Sequence, residues 1–333
     1  MNEILYLLSF ILAFLLAIYG TPIAKKVAFR YNLLDIPDNK LKRQKKPIPY
    51  MGGVIVYFAF ISPVGLLFPL SRHLLGILFA SSILLIVGLF DDLKALTPGI
   101  KFLFQIVAVL ILLKSGIFVD LFFLPEWVNY LISFVWMLSI INAFNIIDIL
   151  DGMAASVASI ALITIFIISL YNTDYLISVV SISLAASLLG FLKFNWEPAG
   201  IYLGDAGSMV IGLIIAALTV MGEYTRYNDV AFVSGVLILS IPVFDMLYVI
   251  IIRLIKGKSP FFGSRDHFAL RIREKWNLSV SKTVSVIVAI QLVISAVVIA
   301  IFYMTPLITL ILTLVIVLFF VVLGIFLLKV KME

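Results

Sequence analysis

The chain has 333 residues, of which 63% are hydrophobic and 13% charged, and its mean hydropathy is +1.22. This apolar content exceeds what a soluble domain needs, and it predicts an all-α, polytopic integral membrane protein. The lack of cysteine excludes disulfides and thiolate metal sites, and two histidines are too few for a multi-histidine zinc site. The net charge of +6 does not indicate nucleic acid, because basic residues collect in cytoplasmic loops that face anionic lipid.

Eleven apolar runs are long enough to cross a membrane. They lack the period-2 alternation of barrel strands, and we find no internal repeat and no soluble module. Residues 1–333 are therefore predicted to form a single integral membrane domain. The runs are 3–22, 51–70, 73–90, 101–117, 127–144, 153–171, 175–192, 207–222, 230–252, 283–303 and 306–328.

Lysine and arginine are unevenly divided between the two sides of this arrangement. Twenty-one of the 24 fall on one side, and only Arg72, Lys114 and Arg226 fall on the other. The positive-inside rule makes the first side cytoplasmic, with the N-terminus outside and the C-terminus inside. The predicted cytoplasmic loops lie near residues 25–50, 91–101, 142–152, 193–206 and 253–282.

The first cytoplasmic loop ends in a stretch rich in proline and glycine, residues 46–53, which reads Lys-Pro-Ile-Pro-Tyr-Met-Gly-Gly. The prolines fix φ, whereas the glycines permit unusual backbone angles. Such a segment could lay Lys45 or Lys46 over a phosphate, although positive-inside charge alone also explains these lysines.

Two adjacent carboxylates, Asp91 and Asp92, end the third apolar run. Neighbouring residues on a helix point about 100° apart, so the pair predicts divided roles. One carboxylate would serve a metal, and the other a proton or a phosphate-bound cation. A charged helix end at the headgroup layer, stabilised by Lys94, is the alternative interpretation.

Four polar residues recur at every third position from the end of the fifth run onward: Asn142, Asn145, Asp148 and Asp151. Residues at this spacing share a helix face. Asparagine supplies a carbonyl and an amide, and aspartate supplies charge, so together they can hold a nucleotide and the water shell of a magnesium ion. A polar seam between helices is the alternative.

Asp205 lies among small residues where the eighth run begins, in the sequence Gly204-Asp205-Ala206-Gly207-Ser208. The backbone amides of a helix start favour an anion, whereas a carboxylate favours a hard cation. Magnesium pyrophosphate would supply both the anion and the cation. Two nearby residues, Asn195 and Tyr202, could contact a base or sugar. An ordinary glycine-rich turn is the alternative.

The last cytoplasmic loop contains Arg265 and His267. An arginine can clamp phosphate through paired donors, and a histidine can bind phosphate or transfer a proton. Asp245, inside the ninth run, is either a functional acid or the partner of an Arg or Lys on a neighbouring helix.

In this order, the motifs resemble the polyprenyl-phosphate N-acetylhexosamine-1-phosphate transferase superfamily, and within it the bacterial undecaprenyl-phosphate N-acetylglucosaminyl-1-phosphate transferases. The resemblance extends from Asp35 to His267. It rests on Pro-Ile-Pro-x-x-Gly-Gly, Asp-Asp, Asn-x-x-Asn-x-x-Asp-x-x-Asp-Gly, Phe-Asn before Gly-Asp-x-Gly-Ser, and Ser-Pro-Phe with a downstream His.

The resemblance implies that UDP-N-acetylglucosamine gives its sugar 1-phosphate to undecaprenyl phosphate, with release of UMP and a requirement for Mg²⁺ or Mn²⁺. It implies a multi-pass enzyme of the cell inner membrane, with a cytoplasmic active site and a lipid-linked product that begins an envelope glycan such as O-antigen or teichoic acid. It also makes a homodimer an expectation.

The family's residue roles transfer by motif. Asp205 would be the principal metal ligand with support from Asp92, and Asp91 would be the base or the acid that positions the acceptor. The implied catalytic residues are Asp91, Asp92, Asp148, Asp151 and His267. The implied substrate-binding residues are Lys46, Asn142, Asn145, Asn195, Tyr202 and Arg265.

Three alternatives remain at this point. The same chemistry could use UDP-N-acetylmuramoyl-pentapeptide or another UDP-N-acetylhexosamine, although the Arg265-x-His267 loop and its few histidines favour UDP-N-acetylglucosamine. A secondary transporter would also have many helices and intramembrane acids. However, the acids here cluster at one interface, and transporters usually place them near the midplane.

Overall fold

The computed structural model describes residues 2–37, 46–121, 123–222, 224, 230–259, 264–330 and 332. These residues form helices joined by short connections, together with one small ribbon of two strands. The predicted all-α class is confirmed. The contacts cluster into two compact units, Met1–Gly222 and Glu223–Glu333, and the expectation of one domain stays a prediction.

The helices of the first unit follow the predicted apolar runs. They are α1 Asn2–Arg30, α2 Gly52–Leu67, α3 Arg72–Leu93, α4 Pro98–Lys114, α5 Glu126–Ile147, α6 Met153–Asn172, α7 Tyr175–Asn195 and α8 Gly204–Met221. The ribbon pairs β1 Leu34–Asp35 with β2 Ile48–Pro49 in antiparallel fashion. Helix α1 continues beyond its apolar run to Arg30, because lysine and arginine are good helix formers and favour a helix C-terminus.

The second unit contains a broken helix where one crossing was predicted. Its helices are α9 Ser234–Ile238, α10 Ser240–Ile255, α11 Phe268–Trp276, α12 Val280–Ile301 and α13 Pro306–Leu328. Helix α11 lies inside the predicted loop at 253–282 and was not predicted. The run predicted at 230–252 is not one continuous helix, since Leu239 separates α9 from α10. That this run crosses the membrane stays a prediction.

Pro242 explains the break between α9 and α10. A proline lacks the N–H that would bond to the carbonyl four residues earlier, and its ring clashes with that carbonyl. The carbonyl concerned belongs to Ile238, and it accepts a hydrogen bond of 3.0 Å from the side-chain amide of Gln291 on α12. A break inside apolar surroundings is tolerated when the freed backbone group finds such a partner.

Eight of the described helices are long and apolar enough to cross a membrane, namely α1, α3, α5, α6, α7, α8, α12 and α13. Helix α2 is apolar but has only 16 residues. The chain is therefore a multi-pass membrane protein. The prediction of eleven crossings, with the N-terminus outside, stays a prediction.

Helix α8 is buried along most of its length, from Ala206 to Val220. Small residues bring its neighbours close, as is common in membrane helix packing. A Cβ atom added to Gly88 of α3 would lie 2.3 Å from Cα of Ala206, and one added to Gly53 of α2 would lie 2.2 Å from the nitrogen of Gly207. The first turn of α8 is therefore held between α2 and α3.

Substitution of Gly53 by alanine tests this close approach. Because the backbone must shift to admit a methyl group, we expect Gly53→Ala to destabilise the protein by about 1–3 kcal/mol. Gly65→Ala is the matched control in the same helix, since a Cβ there meets nothing within 4 Å. Thermal unfolding in detergent measures both, and equal unfolding midpoints for the two variants would contradict the packing.

Candidate active site

Asp92, in the last turn of α3, caps the start of α8. Its Oδ1 accepts a hydrogen bond of 2.8 Å from the N–H of Asp205, and its Oδ2 accepts one of 3.3 Å from the N–H of Ala206. The first amides of a helix lack intrahelical partners and carry partial positive charge, which a carboxylate satisfies. Gly204 has φ of +74°, and a Cβ there would lie 2.5 Å from Oδ2 of Asp92. Asp92 therefore fixes the position of Asp205.

Asp91 points to a different partner, the ammonium group of Lys101 in the first turn of α4. Oδ2 of Asp91 lies 3.0 Å from Nζ of Lys101, and Oδ1 accepts a hydrogen bond of 2.7 Å from the N–H of Leu96. Nζ of Lys101 also pairs with Oδ2 of Asp205. One cation thus joins two acids from α3 and α8.

Asp91 and Asp92 face different partners, as expected for neighbours on a helix. The division of chemical roles between them stays a prediction. The sequence reading missed Lys101, which it treated as one of many loop cations. A feature of the sequence could have indicated its role: Lys101 lies at the start of an apolar run, and that run closely follows the acidic pair.

The two asparagines of α5 have different surroundings. Nδ2 of Asn145 donates a hydrogen bond of 3.0 Å to Oγ of Ser208, and its side chain is also hydrogen-bonded to Asp205. Nδ2 of Asn142 instead donates to Oε1 of the buried Gln105 at 2.8 Å. Asn145 therefore belongs with the acids, whereas the contacts of Asn142 match the alternative of a seam between α4 and α5.

Asp148 and Asp151 lie in the turn between α5 and α6. Burial raises the pKa of Asp148 to about 7, and the negative charges of Asp205 and Asp151 contribute to the shift. Burial also raises the pKa of Asp151, although its Oδ2 accepts a hydrogen bond of 2.9 Å from the N–H of Ala199. The charge of Asp205 thus contributes to the raised pKa of Asp148, and Asp151 stabilises the loop that precedes α8 through its hydrogen bond.

Asn195, at the end of α7, is buried and bonded to backbone on both sides. Its Oδ1 accepts a hydrogen bond of 3.1 Å from the N–H of Gly152, and its Nδ2 donates one of 3.0 Å to the carbonyl of Ile201. The side chain therefore ties the turn before α6 to the loop before α8. Contact with the uridine, implied by the resemblance, stays a prediction.

Tyr202 links the loop before α8 to the proline-glycine segment. Its N–H donates to the carbonyl of Pro49 at 2.9 Å, and its carbonyl accepts from the N–H of Gly52 at 3.0 Å. Burial, followed by the charges of Asp151, Asp35 and Asp148, raises the pKa of the Tyr202 phenol. The side chain is therefore a neutral hydrogen-bond donor among acids.

A second tyrosine, Tyr50, also lies near these acids, and the sequence reading missed it. Its hydroxyl donates a hydrogen bond to Asp35. Burial raises the pKa of Tyr50, and Asp35 and then Asp92 and Asp205 add to the shift. Lys46, at the start of the same segment, is exposed. Lys45 lies outside the described residues.

The second unit contains His267 and Arg265. Nδ1 of His267 lies 2.8 Å from Oδ2 of Asp245, and Oδ1 of Asp245 accepts a hydrogen bond of 3.0 Å from the N–H of Phe268. Asp245 is fully buried, and its described partners are this ring and this amide, not an Arg or Lys on a neighbouring helix. Arg265 is partly buried. The roles of Arg265 and His267 toward a substrate stay predictions.

The donor set of the first unit suits a hard divalent cation. Asp91 and Asp205 already share a cation, the Lys101 ammonium, and their oxygens are the ligands that magnesium prefers. Among the described residues, no three His, Asp or Glu side chains form a metal-binding group. Magnesium is commonly held by one or two carboxylates, with water and substrate phosphates as the other ligands, so the residues fit it.

Comparison with known proteins identifies the family. Residues 74–223 match the model of Glycosyl transferase family 4. A Bacillus subtilis protein named Probable undecaprenyl-phosphate N-acetylglucosaminyl 1-phosphate transferase is 31% identical over 290 residues, which cover 84% of this chain and 80% of that protein. The chain belongs to the polyprenyl-phosphate N-acetylhexosamine-1-phosphate transferase superfamily.

Other members of the superfamily are more distant. The Escherichia coli K12 undecaprenyl-phosphate alpha-N-acetylglucosaminyl 1-phosphate transferase is 25% identical over 257 residues, 73% of this chain and 70% of that protein. The Mycolicibacterium smegmatis decaprenyl-phosphate N-acetylglucosaminephosphotransferase is 28% identical over 298 residues, which cover 78% of this chain and 73% of that protein. The family match at 74–223 includes Asp91, Lys101 and Asp205.

Removal of the Lys101 charge should expose the repulsion between Asp91 and Asp205. We expect Lys101→Met to lower the free energy of unfolding of the metal-free protein by about 1–3 kcal/mol. Added Mg²⁺ should raise the unfolding midpoint of this variant more than that of the wild type, because a divalent cation replaces the lost charge. Lys94→Met, at an exposed lysine nearby in the chain, is the control, and indistinguishable behaviour of the two variants would contradict the bridge.

The raised pKa of Asp148 predicts a pH dependence of stability. The group titrates at about 7 when folded, against an ordinary value of 3.8, so the folded state binds more protons between these values. Stability of the metal-free protein should therefore fall as pH rises through this window. Asp148→Asn does not titrate and should show a shallower decline in thermal midpoint. An equally steep decline would remove Asp148 as a cause.

Proposed function

We propose that the protein transfers N-acetylglucosamine 1-phosphate from UDP-N-acetylglucosamine to undecaprenyl phosphate and releases UMP. The observation that carries the proposal is the convergence of Asp91 and Asp205 on one cationic centre, where helices of a membrane protein end. The Bacillus and Escherichia relatives are named as undecaprenyl-phosphate N-acetylglucosaminyl 1-phosphate transferases, and these names support the choice of substrates.

The reaction brings together two anions, the acceptor phosphate and the donor pyrophosphate, which repel each other. A bound Mg²⁺, with Mn²⁺ as the alternative, would screen this repulsion and stabilise the charge that develops on UMP. Asp205 is the proposed principal ligand, with Asn145 as its hydrogen-bond partner. Asp92 serves the same end indirectly, because it holds the first turn of α8 that carries Asp205.

Asp91 and Lys101 are suited to position the acceptor. A phosphate monoester is largely ionised near neutral pH, since its second pKa is about 6, so the acceptor oxygen needs little help from a base. Lys101 supplies a positive charge at the centre of the site, and Asp91 holds that charge in place. Orientation of the attacking oxygen is then the main contribution of this pair.

The turn at 148–151 and the loop before α8 are suited to the nucleotide side of the donor. Tyr202 presents a neutral phenol among carboxylates, and Asn195 and Asp151 hold the loop that carries it. The excess of basic residues on one side supports a cytoplasmic active site in the inner membrane. The lipid-linked product would begin an envelope glycan such as O-antigen or teichoic acid.

A panel of donors tests the proposal. Purified protein, undecaprenyl phosphate and Mg²⁺ are incubated with UDP-N-acetylglucosamine, UDP-N-acetylmuramoyl-pentapeptide and other UDP-N-acetylhexosamines, and UMP release is measured. We expect release with UDP-N-acetylglucosamine. Release with another sugar alone would reassign the donor, and no release with any of them would refute the transferase activity.

The same assay examines the metal. We expect a chelator to stop UMP release and added Mg²⁺ to restore it. Asp205→Asn should lower turnover by about 100-fold or more, because the proposed metal ligand loses its charge. Asp174→Asn is the control, since Asp174 caps the start of α7 through the N–H of Ile177 and asparagine caps equally well. Wild-type turnover in Asp205→Asn would remove this residue from the metal role.

A further inference from the structure

A groove lies between α3 and α4, at the ends of these helices that are remote from the acidic site. Its volume is about 510 Å³, which is within the usual range of small-molecule pockets, roughly 300–1,000 Å³. The side chains of its walls are apolar, its floor is a glycine and a serine, and one arginine lies at its edge. The walls are formed by Leu75, Phe79, Ile83 and Ile111.

Small residues create the groove. A Cβ added to Gly76 would lie 2.2 Å from Oγ of Ser115, so the two helices touch at this point. The larger side chains on either side stand apart, and the space between them stays open. Oγ of Ser115 donates a hydrogen bond of 2.8 Å to the carbonyl of Ile111 in its own helix. The floor therefore suits a hydrocarbon chain.

Arg72 connects the two helices at the edge of the groove. Its Nη2 donates a hydrogen bond to the carbonyl of Lys114, the last residue of α4, and its side chain is exposed. A guanidinium carries five N–H donors, so this bond leaves capacity for a second acceptor. Guanidinium groups bind phosphate oxygens in pairs. The side chain is thus placed to bind an anion at the mouth of an apolar groove.

The charge pattern makes this position unusual. Only three of the 24 lysines and arginines are predicted on the side opposite the basic loops. One of them, Arg72, lines this groove, and a second, Lys114, accepts the hydrogen bond of Arg72 through its backbone carbonyl. Arg72 begins the 22-residue helix α3 and Asp91 lies in its last turn, so the two are separated by about 30 Å at 1.5 Å per residue. The Arg72 end of the groove is therefore about a membrane thickness away from the acidic site, and no residue of that site lines the groove.

We propose that this groove binds one anionic phospholipid, with an acyl chain between α3 and α4 and the phosphate on Arg72. A soluble anion would not account for the apolar walls, and a neutral hydrocarbon would not account for Arg72. A polyprenyl phosphate that reacts at Asp91 has its phosphate at the other end of α3. A phospholipid of the leaflet at the Arg72 end would use both the apolar walls and the guanidinium.

Native mass spectrometry of the full chain in neutral detergent tests the proposal with phosphatidylglycerol and phosphatidylcholine. We expect one tightly retained phosphatidylglycerol, and a higher unfolding midpoint in that lipid than in phosphatidylcholine. Arg72→Gln should weaken phosphatidylglycerol retention by about fivefold, as expected for one cation near a headgroup, whereas Arg72→Lys should retain most of it. Lys329→Gln, at an exposed cation after α13, should change nothing.

A second pair of variants tests the groove itself without any change of charge. Ile83→Trp fills the space between the helices and should reduce retention, whereas Ile86→Trp, at an exposed position on the same helix outside the groove, should not. Equal retention in Arg72→Gln and wild type, or equal loss in the two tryptophan variants, would overturn the proposal. Retention of undecaprenyl phosphate in preference to phosphatidylglycerol would overturn it too. Lipid retention is read without transferase turnover, so this result is separate from the proposed activity.

Discussion

The candidate site depends on the two hydrogen bonds that the Asp92 carboxylate accepts from the first turn of α8. It satisfies two helix-end amides that apolar surroundings would leave unpaired, and it places Asp205 beside the end of α3 and the start of α4. Glycines allow these hydrogen bonds to form, because Gly204 and Gly88 let α8 and α3 approach without an intervening Cβ. A structural contact therefore sets the position of the acid proposed to hold the metal.

Polar groups near this site divide into those that hold the chain and those that remain available for chemistry. Asn195, Asp151 and Asn142 bond mainly to backbone or to a neighbouring helix. Asp91, Lys101 and Asp205 instead contact one another, and such a charge cluster can exchange one cation for another. This division has a physical cause. A carboxylate removed from water is stable only when it has a partner. When that partner is a lysine side chain rather than the backbone, a metal ion or a substrate can replace it.

The sequence predicted the helices where their signal was length and continuous apolarity, as in α5, α6 and α7. The sequence did not predict the helix break near Pro242, because the hydropathy there is continuous. The break is tolerated because Gln291, far along the chain, donates a hydrogen bond to the freed carbonyl of Ile238. The sequence also failed to predict α11, a short helix within a loop rich in charge, since its buried face is defined only by neighbouring helices.

The amino-acid sequence alone determined the membrane class, the family resemblance and the set of acids, because these follow from composition, run length and motif order. Only the tertiary structure decided which acids meet which partners. Asp91 and Lys101 come from different helices, Asp205 joins them from a third, and Tyr50 reaches Asp35 across the ribbon. Such pairings depend on how helices pack through their glycines, and no local pattern in the chain carries that information.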